Sequence, residues 1–144
     1  MTKDVLVTIR GTQFIPGHER QDEVIEIVTT GTYYKKNGKH YLFYDEVIDE
    51  IQGTVKNTVK ISERFVEIWK KGVTSTQMLF EMGKKTTSMY GTPYGEIEIG
   101  ICAEHIQFVE SEDSIVLELN YELEMNSQFV SDSQIHMEIA PVQC

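Results

Sequence analysis

The chain is 144 residues long, with a hydrophobic fraction of 40% and a charged fraction of 25%; that composition builds a globular domain and excludes wholesale disorder. No apolar run approaches the roughly 20 residues that cross a bilayer as a helix, and 2 cysteines are too few for a disulfide-built scaffold. Of the formal net charge of −10, residues 1–72 contribute nothing (11 basic, 11 acidic) and residues 73–144 everything (2 basic, 12 acidic), so the second half would repel a phosphate backbone and nucleic acid is not an expected partner.

Met1-Thr2-Lys3-Asp4 leads straight into a strand pattern with no apolar signal region, so a cytoplasmic protein is expected, with no membrane partner. Val5, Val7 and Ile9 alternate with polar residues, as do Ile25, Ile27 and Thr29. A period of two places such side chains on one face of a strand. Tyr33 and Tyr34 lead to Asn37-Gly38, a pair suited to positive φ and hence to a hairpin turn. Tyr41 to Val47 reads as the return strand on its aromatic content. Val55, Val59 and Ile61 alternate with Lys56, Thr58 and Lys60; Val66 and Ile68 face away from Trp69; Met78, Phe80 and Met82 share one phase. Thr86 to Tyr90 reads as a further strand. Gly91-Thr92-Pro93-Tyr94-Gly95 then forms a tight bend, because Pro93 fixes its own φ and restricts Thr92.

Ile97, Ile99 and Ile101 alternate on odd positions, but Ile106 and Phe108 are even. That slip at Ala103–Ile106 predicts a β-bulge. The clearest alternation follows, with Ile115, Leu117, Leu119, Tyr121, Leu123 and Met125 on one face. The last strand carries Phe129, Ile135, Met137 and Ile139 in one phase and ends at Ala140-Pro141. No helix is predicted. The pattern predicts an all-β fold: a single antiparallel β-barrel over 1–144, of about eight to ten strands, in which closure removes the exposed edges.

The order Gly31-x-Tyr33, Asn37-Gly38, Tyr41-Leu42-x-Tyr44-x-Glu46, Met78-x-Phe80, Tyr90-x-Thr92-Pro93-Tyr94-Gly95 and Leu117-x-Leu119-x-Tyr121-x-Leu123 resembles the YwiB-like family of small bacterial proteins of unknown function. The resemblance implies a calycin-type, lipocalin-like barrel in a bacterial cytoplasm, and it carries over no catalytic residues.

The remaining chemistry is sparse. Cys102 and His105 have half of a metal-ligand spacing without a second pair, so no metal or other cofactor is expected. His18, His40, His105 and His136 stand in no catalytic motif and read as surface residues, so no enzymatic activity is expected. Glu96, Glu98, Glu118, Glu122, Glu124, Asp132 and Glu138 fall on the wet phase of their strands and predict an acidic outer patch. Lys56 and Lys60 are candidates to offset it. The aromatic cluster Tyr33, Tyr34, Tyr41, Phe43, Tyr44, Trp69, Tyr90 and Tyr94 is the candidate ligand site, with Arg10, Glu46 and Arg64 as buried polar anchors. The expected site comprises Arg10, Tyr44, Glu46, Arg64, Trp69, Tyr90, Thr92 and Tyr94. The expected function is a non-enzymatic module binding a small, partly apolar ligand; the alternative is a protein-interaction barrel meeting a basic partner on its acidic face. A homodimer is also among the expected partners.

Overall fold

A computed structural model describes residues 3–14, 22–48, 53–72, 75–92 and 94–142. His18, Pro93 and Cys144 lie outside the described residues, as does the side chain of Thr92. Ten strands follow one another: β1 Lys3–Phe14, β2 Asp22–Lys36, β3 Lys39–Ile48, β4 Gly53–Ile61, β5 Phe65–Gly72, β6 Thr76–Glu81, β7 Lys85–Thr92, β8 Gly95–Glu110, β9 Ile115–Met125 and β10 Gln128–Pro141. They form one antiparallel sheet in the order β6-β5-β4-β3-β2-β1-β10-β9-β8-β7. This is an up-and-down meander in which β1 pairs with both β2 and β10, so the first and last strands lie side by side.

The sheet curls until β6 meets β7. That seam carries one backbone bridge, Ser75–Gly91, with N–H···O distances of 2.9 and 2.6 Å. Beyond it, side chains replace the ladder. Thr86 Oγ1 donates to the Leu79 carbonyl and Ser88 Oγ to the Gln77 carbonyl, each at 2.5 Å. The hydroxyls satisfy carbonyls that a regular ladder would have paired, and the barrel is nearly closed.

One face of each strand makes the core, as the two-residue period requires. Val7, Leu42, Val59, Val66, Phe80 and Leu117 are fully buried. The phase slip is a bulge between Ala103 and His105. The Asn37-Gly38 hairpin has φ of 53° and 75°. Two details differ from the sequence reading. A second register shift, between Phe129 and Ser131, turns Phe129 outward and leaves it exposed. Met82 lies in the β6–β7 turn, beyond the last paired residue of β6, and is also exposed.

The connections at Asn37-Gly38, 62–64, 82–84 and 111–114, with Lys3 and Val142, define the lower end of the barrel. Asn126-Ser127 lies at the opposite, upper end. Toward the upper end the sheet forks. β2 pairs with β3 only from Gly31↔Tyr44 to Lys36↔Lys39, whereas β3 stays on β4 as far as Ile48↔Gly53. Gly31 sits at the fork because nothing larger fits. A Cβ there would lie 2.6 Å from the Phe43 carbonyl oxygen and 3.3 Å from Tyr44 Cβ. Gly31→Ala is expected to destabilise the fold by about 1–3 kcal/mol, an overpacking cost, with the loss read as a lower midpoint in urea at unchanged slope.

Candidate functional site

The ladders set one inward row of polar side chains. Tyr44 on β3 stands across from Asn57 on β4, Asn57 across from Lys70 on β5, and Lys70 across from Thr76 on β6. One step down, the same strands present Leu42, Val59, Ile68 and Met78; a further step down, His40, Ile61, Val66 and Phe80. The barrel is therefore apolar in its middle and polar just below the upper rim. Tyr90, beside the bridging Gly91, packs against the core from the other side of the seam.

The row is only partly satisfied. Lys70 Nζ lies 3.2 Å from Glu46 Oε1, an ion pair with about a quarter of each side chain exposed. Asn57 Nδ2 donates to the Val55 carbonyl at 3.3 Å and to the same Glu46 oxygen at 3.5 Å. Asn57 is 1% exposed, yet its Oδ1 has no hydrogen-bond partner among the described residues, and neither does the buried Thr76 Oγ1. A buried polar atom without a partner costs about 1–3 kcal/mol, so such atoms are rare unless something else bonds them. Burial, then the Glu46 carboxylate, pushes the Tyr44 phenol well above its ordinary range. Burial does the same to Tyr121, opposed by a hydrogen bond with Ser133. Both phenols are protonated donors at neutral pH.

Two spaces meet at this level. An inner cavity of about 230 Å³ is lined by Ile27, Tyr44, Glu46, Lys70, Met78 and Tyr121, among others. An outer cleft of about 770 Å³ occupies the fork, between Thr30 and Gly31 on one side and Tyr44, Asn57 and Thr58 on the other. Tyr44 lines both.

The lower end is built differently. Tyr33 stacks on His40 across it, and Phe108 meets the His40 ring at a tilt of 51°, with centroids 4.8 Å apart. The Tyr33 hydroxyl and His40 Nδ1 are 2.6 Å apart, and His40 Nε2 lies 3.7 Å from Glu110, which also meets Lys35 at 3.4 Å. A cleft of about 400 Å³ lies outside this cap, bounded by Tyr33, Lys35, Glu110, Ile115, Ile139 and Pro141. Its Tyr33, Lys35 and Glu110 already have protein partners, unlike Asn57 Oδ1 and Thr76 Oγ1 at the upper end.

The surface reading of His40 is overturned: it is 5% exposed, because it shares the inward phase of Leu42 and Tyr44. Burial pulls its pKa below 6.5, with Glu110 opposing the shift and Lys35 adding to it. A folded-state pKa below the unfolded value means that the unfolded chain takes up the proton first. The contribution to stability is therefore present above the unfolded value and is lost as pH falls below about 6.5. The thermal midpoint should fall more steeply on acidification in the native protein than in His40→Gln. Parallel pH curves for the two would contradict this account.

Of the eight sequence-predicted site residues, Tyr44 and Glu46 meet in the inner cavity, and Tyr90 faces inward across the seam. Trp69 adjoins Lys70 but lies on the opposite phase. Arg10 and Arg64 are exposed, not buried anchors: Arg10 takes the outward phase of β1, and Arg64 sits in the β4–β5 turn. Hydration keeps a guanidinium there unless a buried partner replaces it. Tyr94 is 97% exposed in the β7–β8 turn. The aromatic cluster is split by the pleat. Tyr34 stacks on Tyr41 and Phe43 outside, at 4.8 and 5.7 Å, while Tyr33 and Tyr44 point in. Asn57, Lys70, Thr76, Tyr121 and Ser133 were missed as site residues. Their signal was a polar residue on an apolar phase, as in Val55-x-Asn57-x-Val59.

On the outer face, β8, β9 and β10 are neighbours and carry the acidic patch. Lys56 and Lys60 are on β4, remote in the sheet order; instead Lys85 meets Glu124 at 2.7 Å. Glu104, Glu122 and Asp132 bring carboxylate oxygens within 4.8 Å of one another, with Cys102 and His105 outside the group.

Residues 7–137 match a family described as a domain of unknown function, DUF1934. The chain is 35% identical over 115 residues to the uncharacterized beta-barrel protein YwiB of Bacillus subtilis, covering 80% of this chain and 76% of that protein. It is also similar to the crystal structure of ywiB protein from Bacillus subtilis, with a TM-score of 0.80 at 27% identity, covering 99% of this chain and 94% of the other.

Proposed function

The chain belongs to the DUF1934 family, a domain of unknown function, and from its own residues we propose that it is a non-enzymatic barrel that binds a small, partly apolar ligand at its upper end. The observation that carries this reading is the inward row Tyr44–Asn57–Lys70–Thr76, which leaves Asn57 Oδ1 and Thr76 Oγ1 without partners among the described residues. A ligand with an N–H or O–H donor would satisfy Asn57 from the outer cleft that it lines. Glu46 and Lys70 neutralise each other, which favours an uncharged ligand. Isoleucine and methionine side chains take its apolar part. Asn57 lines the outer cleft, and the inner cavity of about 230 Å³ lies on the other side of Tyr44, which lines both, so the ligand would bond Asn57 from the cleft and pass a small apolar part by Tyr44 into the cavity. The lipocalin-like description is part of the same proposal, since it rests on a cupped barrel with its ligand near the rim. So is a cytoplasmic location, which the free thiol of Cys102 suits.

A thermal-shift screen of uncharged amides and alcohols on small apolar bodies tests the reading. Saturable stabilisation by some of them, lost in Asn57→Val, is expected. No stabilisation by any compound, or equal stabilisation of Asn57→Val, would overturn it.

The acidic face supports a second reading, docking of a basic protein, and the convergence of Glu104, Glu122 and Asp132 favours it. Capture of basic partners that survives Lys substitutions at Glu118, Glu122 and Glu124 would count against that reading.

A further inference from the structure

From Asp22 to Thr30, β2 has β1 on one side and, among the described residues, no strand on the other, because β3 leaves it after Gly31. Free edges are usually protected by lysine, proline, a bulge or a cover. The sequence Asp22-Glu-Val-Ile-Glu-Ile-Val-Thr-Thr30 has no lysine, proline or glycine. It is rich in β-branched residues, and Val24, Ile25 and Val28 are 50, 60 and 59% exposed. A strand of this composition with one open edge is a pairing template.

We propose that this edge pairs with the same edge of a second copy of the chain, antiparallel and centred on Glu26. The sequence is self-complementary in that register. Val24 falls opposite Val28 of the second copy and Ile25 opposite its Ile27, so one face of the new ladder matches valines and the other isoleucines. The outer and inner phases of β2 each continue into the same phase of the partner. The centre sets Glu26 against its own counterpart, a like-charge contact. Arg10 stands directly across from Glu26 on the β1 side, on the same outward phase. The two-fold axis therefore generates a row Arg10, Glu26, Glu26, Arg10 across four strands, in which each carboxylate has a guanidinium beside it. The matched valine and isoleucine rows single out a second copy over an unrelated peptide, because the same sequence supplies both in one register. The inference uses only the edge of β2 and does not depend on the ligand reading.

Sedimentation velocity over a concentration series tests it. The native protein should move from monomer toward dimer as concentration rises, more readily at higher salt because each copy carries a net charge of −10. Val28→Lys, on an exposed side chain, should remain monomeric with an unchanged circular-dichroism spectrum. Glu26→Gln should tighten the dimer about two- to fivefold by removing the like-charge contact. In a Cys102→Ser, Cys144→Ser background, Glu26→Cys should form an interchain disulfide on mild oxidation faster than Thr30→Cys, which falls opposite Asp22 of the second copy and not opposite its own counterpart. A monomer at every concentration, a dimer that persists in Val28→Lys, or equal cross-linking of the two cysteine variants would overturn the proposal.

Discussion

Phe80→Ala is expected to cost about 3–5 kcal/mol, equivalent to a fall of roughly 10–15 °C in melting temperature for a domain of this size. Phe80 is fully buried, and its ring meets Tyr121 edge-on at 4.9 Å between centroids. Around the nearly closed barrel β6 and β9 are separated by β7 and β8. The contact therefore ties β6, at the weak β6–β7 seam, to the strand beyond the other side of that seam. Removing the ring forfeits its burial and leaves a void that a curved sheet cannot readily close. Tyr121 also lines the upper cavity, so the same change should loosen that side of the ligand space. A midpoint shift of only a degree or two would mean that the interior is far less tightly filled than the burial of Phe80 indicates.

Asn57→Val should move stability and binding in opposite directions. The substitution removes Oδ1, the buried acceptor without a protein partner, and places a strand-favouring side chain between Val55 and Val59. It forfeits two long hydrogen bonds, at 3.3 and 3.5 Å. The net expectation is a gain of about 1 kcal/mol in the ligand-free protein, since apolar replacement of an unsatisfied group is often stabilising. Ligand affinity should fall at least tenfold, the equivalent of about 1.4 kcal/mol. A site that costs stability in order to bind is a recurring trade-off. Paired melting curves, with and without a ligand identified by the screen, read both quantities. A variant that loses stability while keeping affinity would place Asn57 in a purely structural role.

The strands and turns were legible because they depend on local alternation. Ile115 to Met125 announces one dry face, Asn37-Gly38 announces its turn, and the change from Ile101 to Ile106 announces the bulge. The site was less legible because it depends on register. Asn57, Lys70 and Thr76 are far apart in sequence, and only the β3–β6 ladders set them side by side with Tyr44. Lys70 is followed directly by Lys71, a pairing typical of a solvated strand end, yet it shares the phase of Val66 and Ile68. The aromatic cluster misled for the opposite reason: Tyr34, Tyr41 and Phe43 are close in space to Tyr33 and Tyr44 but on the other side of the sheet. Arg10 and Arg64 were drawn toward the interior by their chemistry alone, whereas alternation on β1 and the turn after β4 place them in water. His40 was recoverable from its phase, two residues before Leu42, but its position beside a hairpin suggested exposure.

A crystal structure of the protein purified from its host cells, refined until the contents of the upper cavity are visible, tests the central claim most directly. The expected result is a bound molecule whose donor lies within hydrogen-bond distance of Asn57 Oδ1 in the outer cleft, with its apolar part passing Tyr44 to reach Ile27 and Met78 in the inner cavity. A cavity collapsed by its own side chains, with Asn57 Oδ1 and Thr76 Oγ1 bonded to protein atoms, would contradict it.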